Sequence, residues 1–204
     1  MEKTGGQEVD TLEKENSAAK TISFMMAVTL IGKVLGLYRD RLLAVHYSTG
    51  PAANAFFTAS RIPRVFFDAV FASAIAACFI PVFSEYLEKK GRQEAFRFAG
   101  SFLTIIALLT GALTLAGMVF PQPLVALFAD YSDPATTRLA VSLTRVMFPT
   151  VLFSGVAFSL VGVLQAQDHF TAPALMSAVS NGAIILYFFT LDAKLGIYGL
   201  AGAY

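Results

Sequence analysis

The sequence predicts an all-α integral membrane protein, a polytopic bundle of helices. Three observations carry that prediction. Of the 204 residues, 56% are hydrophobic and only 14% charged, with a mean hydropathy of +0.64. Soluble domains carry about 25% charged residues. There are 19 Phe and 7 Tyr but no Trp, a high aromatic load. The apolar residues gather into runs of about 20 residues, the length a helix needs to cross a bilayer. These runs are too long and too uniform for a soluble all-helical core. The net charge of +1 says little; no nucleic-acid partner is expected, and the placement of charge matters more than its sum. One cysteine, Cys78, excludes an internal disulfide or a multi-cysteine metal site. Its setting, "FASAIAACFIPVF", suggests a small buried hydrophobe.

Residues 1–20, "MEKTGGQEVDTLEKENSAAK", are polar, show no secretory signal and are expected to form a flexible cytoplasmic tail. Residues 21–204 hold the membrane part. A first span is expected from Thr21 to Val45 and a second from Asn54 to Tyr86, kinked or broken by Pro63 and Pro81. A third, "FRFAGSFLTIIALLTGALTLAGMVF", stops at the prolines of "PQP". The amphipathic "PLVALFADY" then suits the membrane interface. A fourth span runs from Thr137 to Leu164 with Pro149 inside it, and a fifth is "APALMSAVSNGAIILYFFTL". A sixth begins with "LGIYGLAGAY", and its stop at Tyr204 suggests the N-terminal fragment of a longer protein.

Orientation follows from loop lysines and arginines, which favour the cytoplasm. The loop after the second span holds Lys89, Lys90, Arg92 and Arg97, whereas "ADYSDPATT" after the third has acids and no base. The second-to-third loop and the N-terminus are therefore expected on the cytoplasmic side.

Several charges lie where the surroundings are apolar. The first span contains "LIGKVLGLYRDRLL", with Lys33, Arg39, Asp40 and Arg41. A charge at the centre of a membrane helix costs about 2.5–3.5 kcal/mol on insertion scales. Arg39, Asp40 and Arg41 can lie at the outer end of the helix with the two arginines snorkelling to headgroups; that works poorly for Lys33, deep in the run. Lys33 and Asp40 are two turns apart with Gly36 between them, so the three share a face suited to other helices or a cavity. Arg39 points to one side of it. In the second span Arg61, Arg64 and Asp68 form another polar face, and Pro63 can free carbonyls to line a cavity. Arg145 stands in the fourth span. Bases thus outnumber Asp40 and Asp68, and an enclosed cationic cavity suits an anionic passenger, with Arg favouring phosphate by bidentate geometry. The competing reading is that the two acids neutralise arginines and hold helices together. No nucleophile–base set, metal-ligand spacing or phosphate loop is visible, so neither catalysis nor a cofactor is expected. His46 and His169 read as interfacial residues.

The stretch "GKVLGLYRDRLLAVHYSTGPAANAFFTASRIPRVFFDAVFASAIAACFIPVFSEY", with the later "GVLQAQDHFTAPALMSAVSN", resembles the MurJ/MviN lipid II flippase family. The resemblance covers residues 21–204. It implies the N-terminal lobe of a two-lobed transporter with a central cationic cavity. It implies alternating access and movement of an undecaprenyl-pyrophosphate-linked peptidoglycan precursor across the bacterial inner membrane. Lipid II and membrane lipids would be the partners, with cell-wall synthesis proteins as further ones. By position, Lys33 matches a family arginine, Arg39 and Asp40 match its Arg-Asp, and Arg61 matches a basic residue. Substrate contact is thus expected at Lys33, Arg39, Asp40, Arg61, Arg64 and Arg145.

The chain departs from the family at several places. Asn54 stands where Asp is usual, and Phe67, Asp68, Ala72 and Ser73 replace an Arg-Arg pair and a Glu-Gly. Arg64, one turn before Phe67, is a candidate replacement for the missing arginine. An exporter of another lipid-linked oligosaccharide and a non-transporting membrane scaffold are the alternative readings; a drug exporter would want acids in its cavity.

Overall fold

The structure, a computed structural model, describes residues 3–47, 50–167 and 169–204. Among these residues all regular structure is helical: α1 Lys3–Tyr47, α2 Pro51–Phe67, α3 Ile80–Lys89, α4 Arg92–Val119, α5 Pro121–Phe128, α6 Pro134–Met147, α7 Thr150–Gln165, α8 Thr171–Thr190 and α9 Asp192–Ala203. Five stretches are long and apolar enough to cross a membrane: Ile22–Tyr47, Pro51–Lys89, Arg92–Val119, Pro134–Gln165 and Pro173–Thr190. This is the polytopic all-α membrane bundle the composition predicts.

The breaks have local causes. Pro51, Pro121 and Pro134 each open a helix, where a missing N–H costs nothing. Asp133 caps α6: its carboxylate accepts from the Ala135 and Thr136 amides, both at 3.0 Å, and from the Thr136 hydroxyl at 2.7 Å. Those bonds, led by the Thr136 hydroxyl, hold its pKa below the ordinary carboxylate value. Gly91, at φ +84°, supplies the left-handed turn between α3 and α4. Inside α9, Gly196 takes φ +53° and kinks the helix, and its carbonyl accepts from the Tyr187 hydroxyl at 2.6 Å.

Three expectations are corrected. The segment expected as a flexible tail is helical from Lys3 and continuous with the first span; Met1 and Glu2 lie outside the described residues. Its Leu, Glu, Lys and Ala residues are good helix formers, and it has no proline. The second span does not break at its prolines. Pro63 lies buried within α2, and Pro81 sits in the first turn of α3. Between them the helix widens into two π segments, Asp68–Ala72 and Ile75–Phe79, with the Ile80 amide donating to the Ile75 carbonyl. Cys78, in the second of these, is exposed rather than buried.

The helices pair as α1 with α8, α2 with α6, and α4 with α7. Bilayer lipid gives no hydrophobic drive for such pairing, so small residues set the approach. A Cβ on Gly155 would lie 2.7 Å from the Thr110 methyl, and one on Gly162 would lie 3.1 Å from the Phe79 ring. Phe79 also stacks on Phe102 with ring centroids 4.4 Å apart. On α1, a Cβ on Gly32 would meet the Ser177 hydroxyl at 3.1 Å, and one on Gly36 would meet the Asn181 amide nitrogen at 3.4 Å. The first span is therefore seated on α8 by a Gly-xxx-Gly strip.

Candidate functional site

A cavity of about 460 Å³ opens between α1, α2, α7 and α8, with Tyr204 at one edge. Helix α1 contributes Lys33 and Arg39, and α2 contributes Arg64, followed by Asp68. The opposite wall carries Thr150 and Ser154 from α7 and Ser177, Ser180 and Asn181 from α8. Phe67 and Phe158, whose ring centroids lie 5.2 Å apart, add apolar surface. Three bases therefore face hydroxyl and amide groups, with one acid among them.

The bases differ in how they are held. The Arg39 guanidinium donates from Nε and Nη2 to Asp40 Oδ1, at 3.0 and 2.8 Å, and from Nη1 to Asn181 Oδ1 at 2.9 Å. It also lies 5.6 Å from the centroid of the Tyr204 ring. Arg64 makes a looser pair with Asp68 at 3.6 Å, and its side chain is 74% exposed. Lys33 is exposed and makes no salt bridge among the described residues. It sits about midway along the Ile22–Tyr47 span, where an unpaired ammonium is costly against lipid. Opening onto a polar cavity relieves that cost.

The expected site residues thus divide. Lys33, Arg39 and Arg64 come together. Asp40 does not share their cavity. It lines a small cleft of about 30 Å³ with Phe57 and Ser60 and pairs with its neighbour Arg39. Lys33 and Asp40 do share an azimuth, but two turns separate them by about 10 Å along the axis. The strip facing α8 is Gly32, Gly36 and Arg39, so Arg39 rather than Asp40 turns to the cavity. Arg61 faces a separate groove beside Thr58 and Phe128. Arg145 lies in the last turn of α6, and its Nε donates to the Met118 carbonyl at 3.0 Å. That carbonyl belongs to the last turn of α4, where main-chain acceptors lack helical partners. The two acids do pair with bases, yet each pair lies within one helix, so neither ties two helices together.

Asn181 and the hydroxyl wall line the cavity but are not among the residues the sequence points to as a site. Asn181 is 7% exposed, and its amide donates to the Gly32 carbonyl at 3.0 Å. A signal was present: Ser177 and Asn181 lie one turn apart in an apolar span, on a single face.

Comparison with known proteins bears on this arrangement. Residues 43–204 match the family model described as Lipid II flippase MurJ. The probable lipid II flippase MurJ of Bdellovibrio bacteriovorus is 30% identical over 197 residues, covering 94% of this chain and 38% of that protein. The lipid II flippase MurJ of Thermosipho africanus is 31% identical over 178 residues, covering 87% and 36%. A solved structure, Lipid II flippase MurJ in an inward closed conformation, superposes with a TM-score of 0.74 at 28% identity, over 88% of this chain and 38% of that one. The chain spans little more than a third of the length of these relatives.

Proposed function

We propose, given that this chain belongs to the lipid II flippase MurJ family, that it forms part of a transporter for a lipid-linked pyrophosphate precursor of peptidoglycan. Its five apolar spans and its family make it a multi-pass bacterial membrane protein. The single observation that carries the substrate reading is the gathering of Lys33, Arg39 and Arg64 around one cavity, with Asp68 among them and Asp40 bonded to Arg39 from the adjoining cleft. A pyrophosphate offers two charged groups to such a set, and guanidinium groups match its oxygens in pairs. The hydroxyl wall of Thr150, Ser154, Ser177 and Ser180 suits the polar remainder of a headgroup.

The cavity moves its guest and makes no bond. Alternating access in the inner membrane would carry the headgroup from the cytoplasmic to the outer leaflet. The N-terminus would lie in the cytoplasm, on the side of Lys89, Lys90, Arg92 and Arg97. Cell-wall synthesis proteins that consume the precursor are the natural neighbours.

Depleting the protein that carries this chain tests the reading. Accumulation of the lipid-linked precursor, followed by lysis, is expected. Normal wall synthesis with no accumulation would overturn it.

A second reading, a membrane scaffold that no longer transports, draws on Phe67. This residue occupies a position where the family resemblance leads one to expect arginine. It is 4% exposed and packed on Phe71 and Phe158. Arg64 on the same cavity weighs against it.

A further inference from the structure

Asn181 stands between two groups that ask opposite things of it. On one side is the Gly32 carbonyl, which only accepts; on the other is the Arg39 guanidinium, which only donates. The amide answers both, with its nitrogen to Gly32 at 3.0 Å and its oxygen to Arg39 at 2.9 Å. Those neighbours fix which way the amide points. Its room is also fixed, since Gly36 lies close enough that a Cβ there would sit 3.4 Å from the amide nitrogen. Gln is too long for that space. Leu has the size but neither hydrogen bond. Ionised Asp keeps the oxygen facing Arg39 but sets a second oxygen against the Gly32 carbonyl.

The same bonds leave Arg39 with capacity to spare. A guanidinium has five N–H donors. Among the described residues three are engaged, by Asp40 and Asn181, so two remain for an anion in the cavity. The side chain is 24% exposed, against 74% for Arg64. Arg39 is thus a base with a set position at the cavity wall, and among the described residues its one tether from another helix through a hydrogen bond is Asn181.

We propose that Asn181 is a positioning residue: from α8 it orients the Arg39 guanidinium so that its free donors face a pyrophosphate in the cavity. The proposal rests on the pyrophosphate reading above. It assigns Asn181 no direct contact with the guest. Its effect on binding passes through Arg39 and vanishes when Arg39 is absent.

The test is a double-mutant cycle on the full chain in detergent, with farnesyl pyrophosphate as the probe. Arg39→Ala is expected to weaken binding about tenfold, the effect of one charge-assisted contact. Asn181→Leu is expected to approach that loss, and the double variant to bind no worse than Arg39→Ala alone. Asn181→Ala, which removes both hydrogen bonds without overfilling the site, serves if Asn181→Leu does not fold. Its effect should likewise disappear in the Arg39→Ala background, a coupling that a merely structural role would not produce. Additive losses for both substitutions would overturn the positioning role while leaving the cavity reading intact. If Lys33→Ala and Arg39→Ala both bind the probe like the unsubstituted chain, the pyrophosphate reading itself falls.

Discussion

Gly117 and Phe148 claim the same space: a Cβ on Gly117 would lie 2.0 Å from the Phe148 ring. The ring is fully buried where the fourth span turns at Pro149, and its carbonyl accepts from Thr114 on α4. Gly117→Ala should destabilise the bundle by about 1–3 kcal/mol, the usual cost of overpacking. Thermal unfolding in detergent measures this. Gly100→Ala, with nothing near the added carbon, should leave the midpoint unchanged or slightly raised.

Arg64 and Phe67 set a second test. If Arg64 has taken over the charge that the family resemblance leads one to expect at position 67, Arg64→Ala should weaken polyprenyl-pyrophosphate binding about tenfold. Phe67→Arg should not restore it, because Phe67 is 4% exposed among Phe71 and Phe158. That variant should unfold at a lower temperature instead, having buried a charge among aromatic rings. Rescue of Arg64→Ala by Phe67→Arg would show that position 67 can still reach the guest.

Arg145 should behave differently from the cavity bases. Its hydrogen bond to the Met118 carbonyl joins two helix ends away from the cavity. Arg145→Ala is expected to lower stability by about 1 kcal/mol and to leave farnesyl pyrophosphate binding unchanged. A binding loss as large as that of Arg64→Ala would place it in the anion path.

Much of this was legible in the residues, and the limits have physical causes. The spans follow from the length of the apolar runs, so their positions were read to within a few residues. Lys33 was recognisable as a base too deep to reach headgroups, and Arg39 and Arg64 as candidate cavity bases. Which of them meet was not legible. That Arg39, not Asp40, turns inward depends on Asn181, 142 positions away, seating itself against Gly32 and Gly36. Helical spacing gives the angle of a side chain around its own axis but not which neighbour fills that angle. That Arg145 lies away from this cavity was not legible for the same reason, since its partner is a main-chain carbonyl and leaves no mark in sequence. Proline was taken as the breaker in the second span, yet the wide turns fall between the prolines.

Asp133 gives the bundle a pH dependence outside the membrane spans. The Thr136 hydroxyl and the Ala135 and Thr136 amides hold its folded pKa below the ordinary value of 3.8. Its contribution is complete above that value and is lost as pH falls from there through the depressed folded pKa. Asp133→Asn, which keeps an acceptor at the cap, should show less loss of melting midpoint on acidification through that range. Identical acid profiles for the two would remove Asp133 as a source of acid sensitivity.

Phe67, Phe71, Ile75, Phe79 and Phe83 are all buried, and each follows the last by four residues. On a helix of 3.6 residues per turn, every such step advances about 40° around the axis. Four steps would carry Phe83 most of the way to the opposite side. The two π segments lie within this series, and their longer i→i+5 bonds enlarge the turn. They take up the excess, so this period-four row, four Phe rings and Ile75, stays on one side of the rod. The second span works like a vernier, its widened turns keeping a coarser scale of side chains in register with α4 and α7. In this chain the row of large apolar residues at strict intervals of four coincides with the widened turns. Adding or removing one residue within Asp68–Phe79 would send every ring beyond it to a different neighbour.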